Sequence, residues 1–296
     1  MKPPLILDFD ASVLSPTDNA IRIALGGWQE AIRFGCFRSA FARLEQHLET
    51  LMPDSYGCVF TGSGDYHHIS LLLLRLLARR AKLPPASLDC IVCDNHPDNM
   101  RYPFGIHCGS WVRHASELAC IRHIHVIGIT SADINPAHAW ANYLGPLLRN
   151  KLSYWSVRQE ARWLKLLGRE KNSRTFASAD ALLAAFLPVI SGAKSLYLSI
   201  DKDVFSPEVA RTNWDQGIFT EDHAAAVIGA CAGRLMGSDI TGEFSAYAYA
   251  GMGKKLLVSL DGPDRMGACG PEEALVERET QRQLNARLLR LLEHGG

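Results

Sequence analysis

The sequence predicts an α/β fold, a mainly parallel sheet with helices on both faces. Three observations lead there. Short apolar runs alternate with longer amphipathic ones along the chain, the pattern of parallel strands joined by crossover helices. Two apolar runs end in acidic clusters, Asp94-Asn95-His96-Pro97-Asp98 and Asp201-Lys202-Asp203, and such sheets bind ligands beyond the carboxyl ends of their strands. No Gly/Ser-rich or Pro-rich linker, repeat or low-complexity tract divides the 296 residues, and 47% apolar content supports a substantial core, so a single domain over 1–296 is expected.

Taken in order, the apolar runs predict strands over 5–9, 57–61, 88–93, 123–129, 195–200, 240–244 and 255–260. The amphipathic stretches between them predict helices over 38–51, 67–82, 109–119, 137–148, 158–167, 179–190, 221–235 and 272–292. The last of these is charged and amphipathic, suited to packing on the domain or to a contact within a homo-oligomer.

Composition excludes several function classes. The 31 basic residues balance 31 acidic ones and no Lys/Arg run stands out, which argues against nucleic acid or an anionic membrane as the main partner. Asp8 and Asp10 interrupt the start where a signal peptide needs apolar residues, and no apolar run approaches the ~18 residues of a membrane span. Eight cysteines, mostly inside apolar segments, read as reduced thiols of a cytoplasmic protein. Cys90 and Cys93 match C-x-x-C, but in a strand they point to opposite faces. His123 and His125 would share one face of a strand; lacking an acidic neighbour, they read as structural.

The chemistry lies in three segments. In an extended chain, residues two apart point to one side, so Asp94, His96 and Asp98 would converge, with Asp201 and Asp203 facing them. Thr61-Gly62-Ser63-Gly64-Asp65-Tyr66-His67-His68 is a Gly-rich strand-to-helix turn that lacks the Lys of a phosphate-binding loop. Alone, each segment has an ordinary meaning: a polar turn, a solvated strand end, or a turn with Asp65 as helix cap. Together they assemble two imidazoles and four carboxylates on one rim. Four carboxylates in contact repel unless cations lie between them; two divalent ions balance them. Oxygen-rich ligation favours two Mn2+ per chain, while imidazole also suits Zn2+, Fe2+ or Ni2+. A metal pair can acidify a shared water to a hydroxide nucleophile.

In order and chemistry, the segments GSGDYHH, DNHPD and SIDKD resemble the three metal motifs of the arginase/agmatinase (ureohydrolase) superfamily, over roughly residues 60–245. The resemblance implies a three-layer α/β/α fold and hydrolysis of a guanidino or amidino C–N bond by a metal-bridging hydroxide. It makes Asp94 and Asp201 bridging ligands, with His67 and Asp98 completing one site and His96 and Asp203 the other. Tyr66 intrudes where the family has His directly after Asp. His67 is the preferred ligand, because polar, apolar, small and apolar residues follow it, and His68 is the alternative.

Ile106 to Ala115 looks like a His-Gly-x-x-x-x-Arg segment of agmatinase-like proteins, which makes His107 the candidate proton shuttle to the leaving amine. Glu243, in Asp239-Ile240-Thr241-Gly242-Glu243-Phe244, is the candidate partner of a substrate guanidinium, although it lies one residue further along than the family spacing. A structural salt bridge would also suit it. Trp214 either caps the pocket or packs a loop. The segment 98–107 lacks the polar residues with which arginases hold an amino acid, so arginine is disfavoured as substrate. Two other functions stay open: a zinc deacetylase-type amide hydrolase with one metal on Asp94, His96 and Asp201, and a non-catalytic binding protein on a degenerate site.

Overall fold

The computed structural model describes residues 2–260 and 271–294. One sheet contains nine parallel strands: β1 (Leu5–Asp8), β2 (Ile21–Ala24), β3 (Val59–Phe60), β4 (Leu88–Cys93), β5 (Ile121–Ile129), β6 (Leu152–Val157), β7 (Ser173–Phe176), β8 (Leu196–Asp201) and β9 (Leu235–Thr241). Their order across the sheet is β2-β1-β3-β9-β8-β4-β5-β6-β7. The longer helices are α1 (Arg38–Leu51), α2 (Ile69–Arg80), α3 (Ala179–Ile190), α4 (Glu221–Cys231), α5 (Met252–Leu260) and α6 (Pro271–His294).

Strand alternation divides the interior into two cores. Leu88, Cys90 and Val92 of β4 face a layer containing α1, α2 and Trp111, and Tyr197 of β8 joins them. Ile91 and Cys93, with Leu196, Leu198 and Ile200, face α3, α4 and α6. This is the three-layer α/β/α arrangement, and both central strands are buried along their whole length, as a sheet covered on both sides requires. Cys90 and Cys93 do fall on opposite faces. Seven cysteines are buried and form no disulfide among the described residues; the eighth, Cys269, lies outside the described residues. No helix among the described residues is long and apolar enough to cross a membrane.

The site follows from the topology. Neighbours β8 and β4 send the chain in opposite directions across the sheet, β4 toward β5 and β8 toward β9. Their carboxyl ends therefore open a crevice, the usual ligand position in such sheets. Asp94 immediately follows β4 and Asp201 closes β8.

Several expected elements differ. Residues 255–260 belong to helix α5 rather than a strand, since a short apolar run has no periodicity that separates the two. The helix expected over 158–167 shrinks to Trp163–Leu166, because Arg158 turns the chain at φ 61 after β6. That over 137–148 splits into Pro136–Ala141 and Leu144–Leu148. Strands β2, β6 and β7 were not expected; they are short runs of mixed polarity.

Helix α6 is tied to the strand ends by a buried polar cluster. Lys202 Nζ, fully buried between Asp201 and Asp203 in sequence, lies 2.7 Å from Glu243 Oε1 and donates to Gln281 and Asn285 of α6. Asn285 Nδ2 donates to the same Glu243 oxygen at 2.7 Å. Lys202→Met leaves the Glu243 charge buried without its partner, so it should cost about 3–5 kcal/mol of stability. The double variant Lys202→Met, Glu243→Leu should recover about half of that or more. Urea unfolding measures both, and a single variant as stable as the parent would contradict the role given to this pair.

Candidate metal centre

Three strand ends supply the cluster. After β3 the chain turns through Gly62 and Gly64; a Cβ on Gly64 would stand 3.2 Å from Asp201 Oδ2, so this glycine lets the turn approach the cluster. Asp65 does not cap the following turn, a role taken by Ser63 Oγ. Its carboxylate instead meets the buried Arg33 guanidinium at 2.7 Å, which fixes the turn from beneath. Gly242, after β9, has φ +97, and a Cβ there would strike Asp201 Oδ1 at 2.6 Å.

His67 reaches the cluster and His68 does not. His67 Nδ1 faces Asp98 Oδ2 at 2.9 Å, Asp94 Oδ2 at 3.2 Å and Asp201 Oδ2 at 3.3 Å. His68 is fully buried against Phe41 of α1, and burial holds it neutral. His96 Nδ1 lies 2.9 Å from Asp203 Oδ2 and 3.6 Å from Asp94 Oδ1. Two groups of possible ligands result, His67 with Asp94 and Asp98, and Asp94 with His96 and Asp203. Asp94 belongs to both.

Each member is held from behind. His67 Nε2 contacts Ser199 Oγ at 3.0 Å; Ser199 and Ser70 both donate to Asp239 Oδ1 at 2.8 Å, and Tyr197 to its other oxygen at 2.5 Å. His96 Nε2 is 2.6 Å from Asp215 Oδ1. Asp98 accepts a 2.6 Å bond from Trp111 Nε1 and has φ 47, an uncommon backbone conformation for a residue with a side chain. Asp201 accepts from the Asp203 amide and Asp203 from the Asn95 amide.

The donor set fits divalent cations. One imidazole proton at His67 Nδ1 can serve only one of three facing carboxylate oxygens, and Asp94 Oδ2 accepts no hydrogen bond. Burial, together with the nearby Asp94 charge, pushes Asp98 and Asp203 up to about 7. Burial and the Asp203 charge raise Asp201 as well. Burial works against charging His67 and His96, yet their carboxylate contacts outweigh it and raise both. Protons thus occupy the place that cations would take.

The cluster lies in a cavity of about 400 Å³, lined also by Met100, His107, Asp133, Trp140 and Trp214. His107 Nδ1 accepts the Gly109 amide hydrogen at 2.9 Å, so the neutral ring carries its proton on Nε2. Trp214 lies on the cavity wall with its ring parallel to Phe34 and edge-on to His96. Glu243 is not brought to this cavity: its carboxylate is taken up by Lys202 and Asn285. That corrects the expectation of a guanidinium partner there. Sequence reasoning does not single out Asp215, Trp111 or the Ser199–Asp239 pair; only Asp215, acidic beside Trp214 in a polar loop, carries any visible signal.

No protein-family model matches the chain. An uncharacterized protein of Thermotoga maritima is 26% identical over 197 residues, covering 66% of this chain and 62% of the relative, so the match spans under two thirds of that protein. Proclavaminate amidino hydrolase from Streptomyces clavuligerus superposes with a TM-score of 0.57 at 14% identity, covering 100% of this chain and 93% of the other. Agmatine ureohydrolase of Thermoplasma volcanium gives 0.54 at 14% identity, with 98% and 87% covered. Trypanosoma cruzi formiminoglutamase, solved with Mn2+, gives 0.53 at 12% identity, with 94% and 76% covered. The chain has the arginase/agmatinase ureohydrolase fold. Identities this low speak to the fold alone.

The pH dependence follows from the raised carboxyls. Protonation of Asp98 and Asp203 stabilises the metal-free fold below their unfolded pKa near ~4, and that contribution is lost as pH rises through about 7. Metal-free protein should therefore melt lower at about pH 8 than at about pH 6, while Mn2+ raises the midpoint more at the higher pH. Thermal unfolding with and without Mn2+ checks this; a metal effect independent of pH would contradict it.

Proposed function

We propose that the chain is a binuclear-metal-dependent hydrolase that cleaves a C–N bond of a guanidino or amidino compound. The carrying observation is the pair of ligand groups that share Asp94. In this proposal His67, Asp94 and Asp98 would hold one ion and Asp94, His96 and Asp203 the other, with Asp201 as a further carboxylate ligand. Mn2+ suits the oxygen-rich set; Zn2+, Fe2+ and Ni2+ are tests of it. A divalent pair so held supplies an acidified water as nucleophile and positive charge for the developing transition state.

The protein's own groups do the rest. Asp215 orients His96, and the Ser199–Asp239 pair orients His67, as outer carboxylates do for ligating imidazoles. In this reading His107, buried and lining the cavity, would manage the proton of the departing amine. Trp214 and Trp140 supply flat walls for a planar amidine or guanidine. Among the described residues lining the cavity there is no Lys or Arg, whereas Asp133 stands on its wall. Cationic substrates without a carboxylate are favoured accordingly. A carboxyl in each histidine-anchored group supports two metals over the one-metal amide hydrolase.

The test is ammonia or urea release by Mn2+-loaded protein from a panel of guanidino and amidino compounds, each with and without a carboxylate. Turnover should favour the carboxylate-free members, and His107→Ala should lower kcat by ~100-fold or more with metal content unchanged. A fully metal-loaded protein that turns over no member would support the non-catalytic alternative instead.

A further inference from the structure

A second cavity, of about 390 Å³, lies at the opposite rim of the sheet. Its lining comes from the amino-terminal ends of neighbouring strands: Asp89 of β4, Arg122, His123 and His125 of β5, and Arg174 of β7, with Lys171 from the preceding turn. Asp89 and Asp94 are five residues apart along β4, which separates this cavity from the metal cluster by about 16 Å. It owes nothing to the proposed hydrolase site.

Its charge is unbalanced. Arg122 pairs with Asp89, the one acid in the lining. Lys171 and Arg174 have no carboxylate within ion-pair distance among the described residues, and each faces the same space. Arg174 is held over the Trp155 ring at 4.7 Å, which positions its guanidinium without satisfying its N–H donors. His123 and His125 share Ser153 Oγ at 3.0 Å each, their rings 4.4 Å apart. Asp89 is 3% exposed, and its Oδ1 has no hydrogen-bond partner. A cavity lined by guanidinium and ammonium groups in excess over its one acid, itself paired with Arg122, is complementary to an anion.

We propose that this cavity binds a small organic dianion, held by Lys171 and Arg174 with Arg122 at its edge. Phosphate monoesters and dicarboxylates share that chemistry, and the probes separate them. The full-length protein is titrated calorimetrically with inorganic phosphate and, separately, with succinate. Saturable binding at one site per chain is expected for at least one probe, weakened ~tenfold or more by Lys171→Ala and by Arg174→Ala. Both side chains are exposed, so folding should survive either change, as circular dichroism would verify. Phosphate alone assigns a phosphate ligand, and succinate alone a dicarboxylate. No saturation by either up to ~10 mM, or saturation that both variants leave unchanged, overturns the proposal.

Discussion

Mutual repulsion among four buried aspartates is the constraint around which the rest of the structure is arranged. Asp94, Asp98, Asp201 and Asp203 are all nearly inaccessible to water and meet where two adjacent parallel strands end. Like charges in so small a volume cannot all ionise without a counter-charge. Without metal, two histidines and shared protons provide it. Under the proposed function two divalent ions take their place, and the same repulsion becomes affinity.

The surroundings are built to hold these carboxylates against that repulsion. Trp111 fixes Asp98 in a backbone conformation that few non-glycine residues adopt. Gly242 lets its loop approach Asp201 more closely than a side chain would allow, and Gly64 brings the Gly-rich turn into tight contact with the same carboxylate. Behind the histidines stand Asp215 and the Ser199–Asp239 pair, and beneath the Gly-rich turn stands the Arg33–Asp65 ion pair. Lys202 points away from the cluster, to Glu243 and α6, so a residue between two cluster members carries structural charge. The second cavity, at the far rim, uses the opposite sign: cations gathered with one acid among them.

What can be read from the chain follows from the range over which each signal acts. The period-two spacing of Asp94, His96 and Asp98 is visible in the amino-acid order, but the segment is a bend with Asp98 at φ 47 rather than an extended strand, so Asp98 and His96 fall in different ligand groups that share Asp94. The choice of His67 over His68 depends on residue 68 falling on the apolar face toward Phe41, which spacing alone does not fix. Glu243 misleads because a one-residue shift after β9 is invisible without the Lys202 contact that receives it. Trp111 and Asp239 are ordinary core or strand residues by composition, and only their distances from Asp98 and Ser199 reveal their roles. The short strands β2, β6 and β7 escape for a different reason: four to six residues of mixed polarity acquire their conformation from the neighbouring strand.

The most direct test of the shared carboxylate is metal stoichiometry. Chelator-stripped protein is reloaded with Mn2+ and counted by mass spectrometry of metals, beside Asp94→Ala. Two ions per chain, with both lost or greatly weakened in the variant, is the result this account predicts. A single ion per chain, or a pair that survives loss of Asp94, would contradict it.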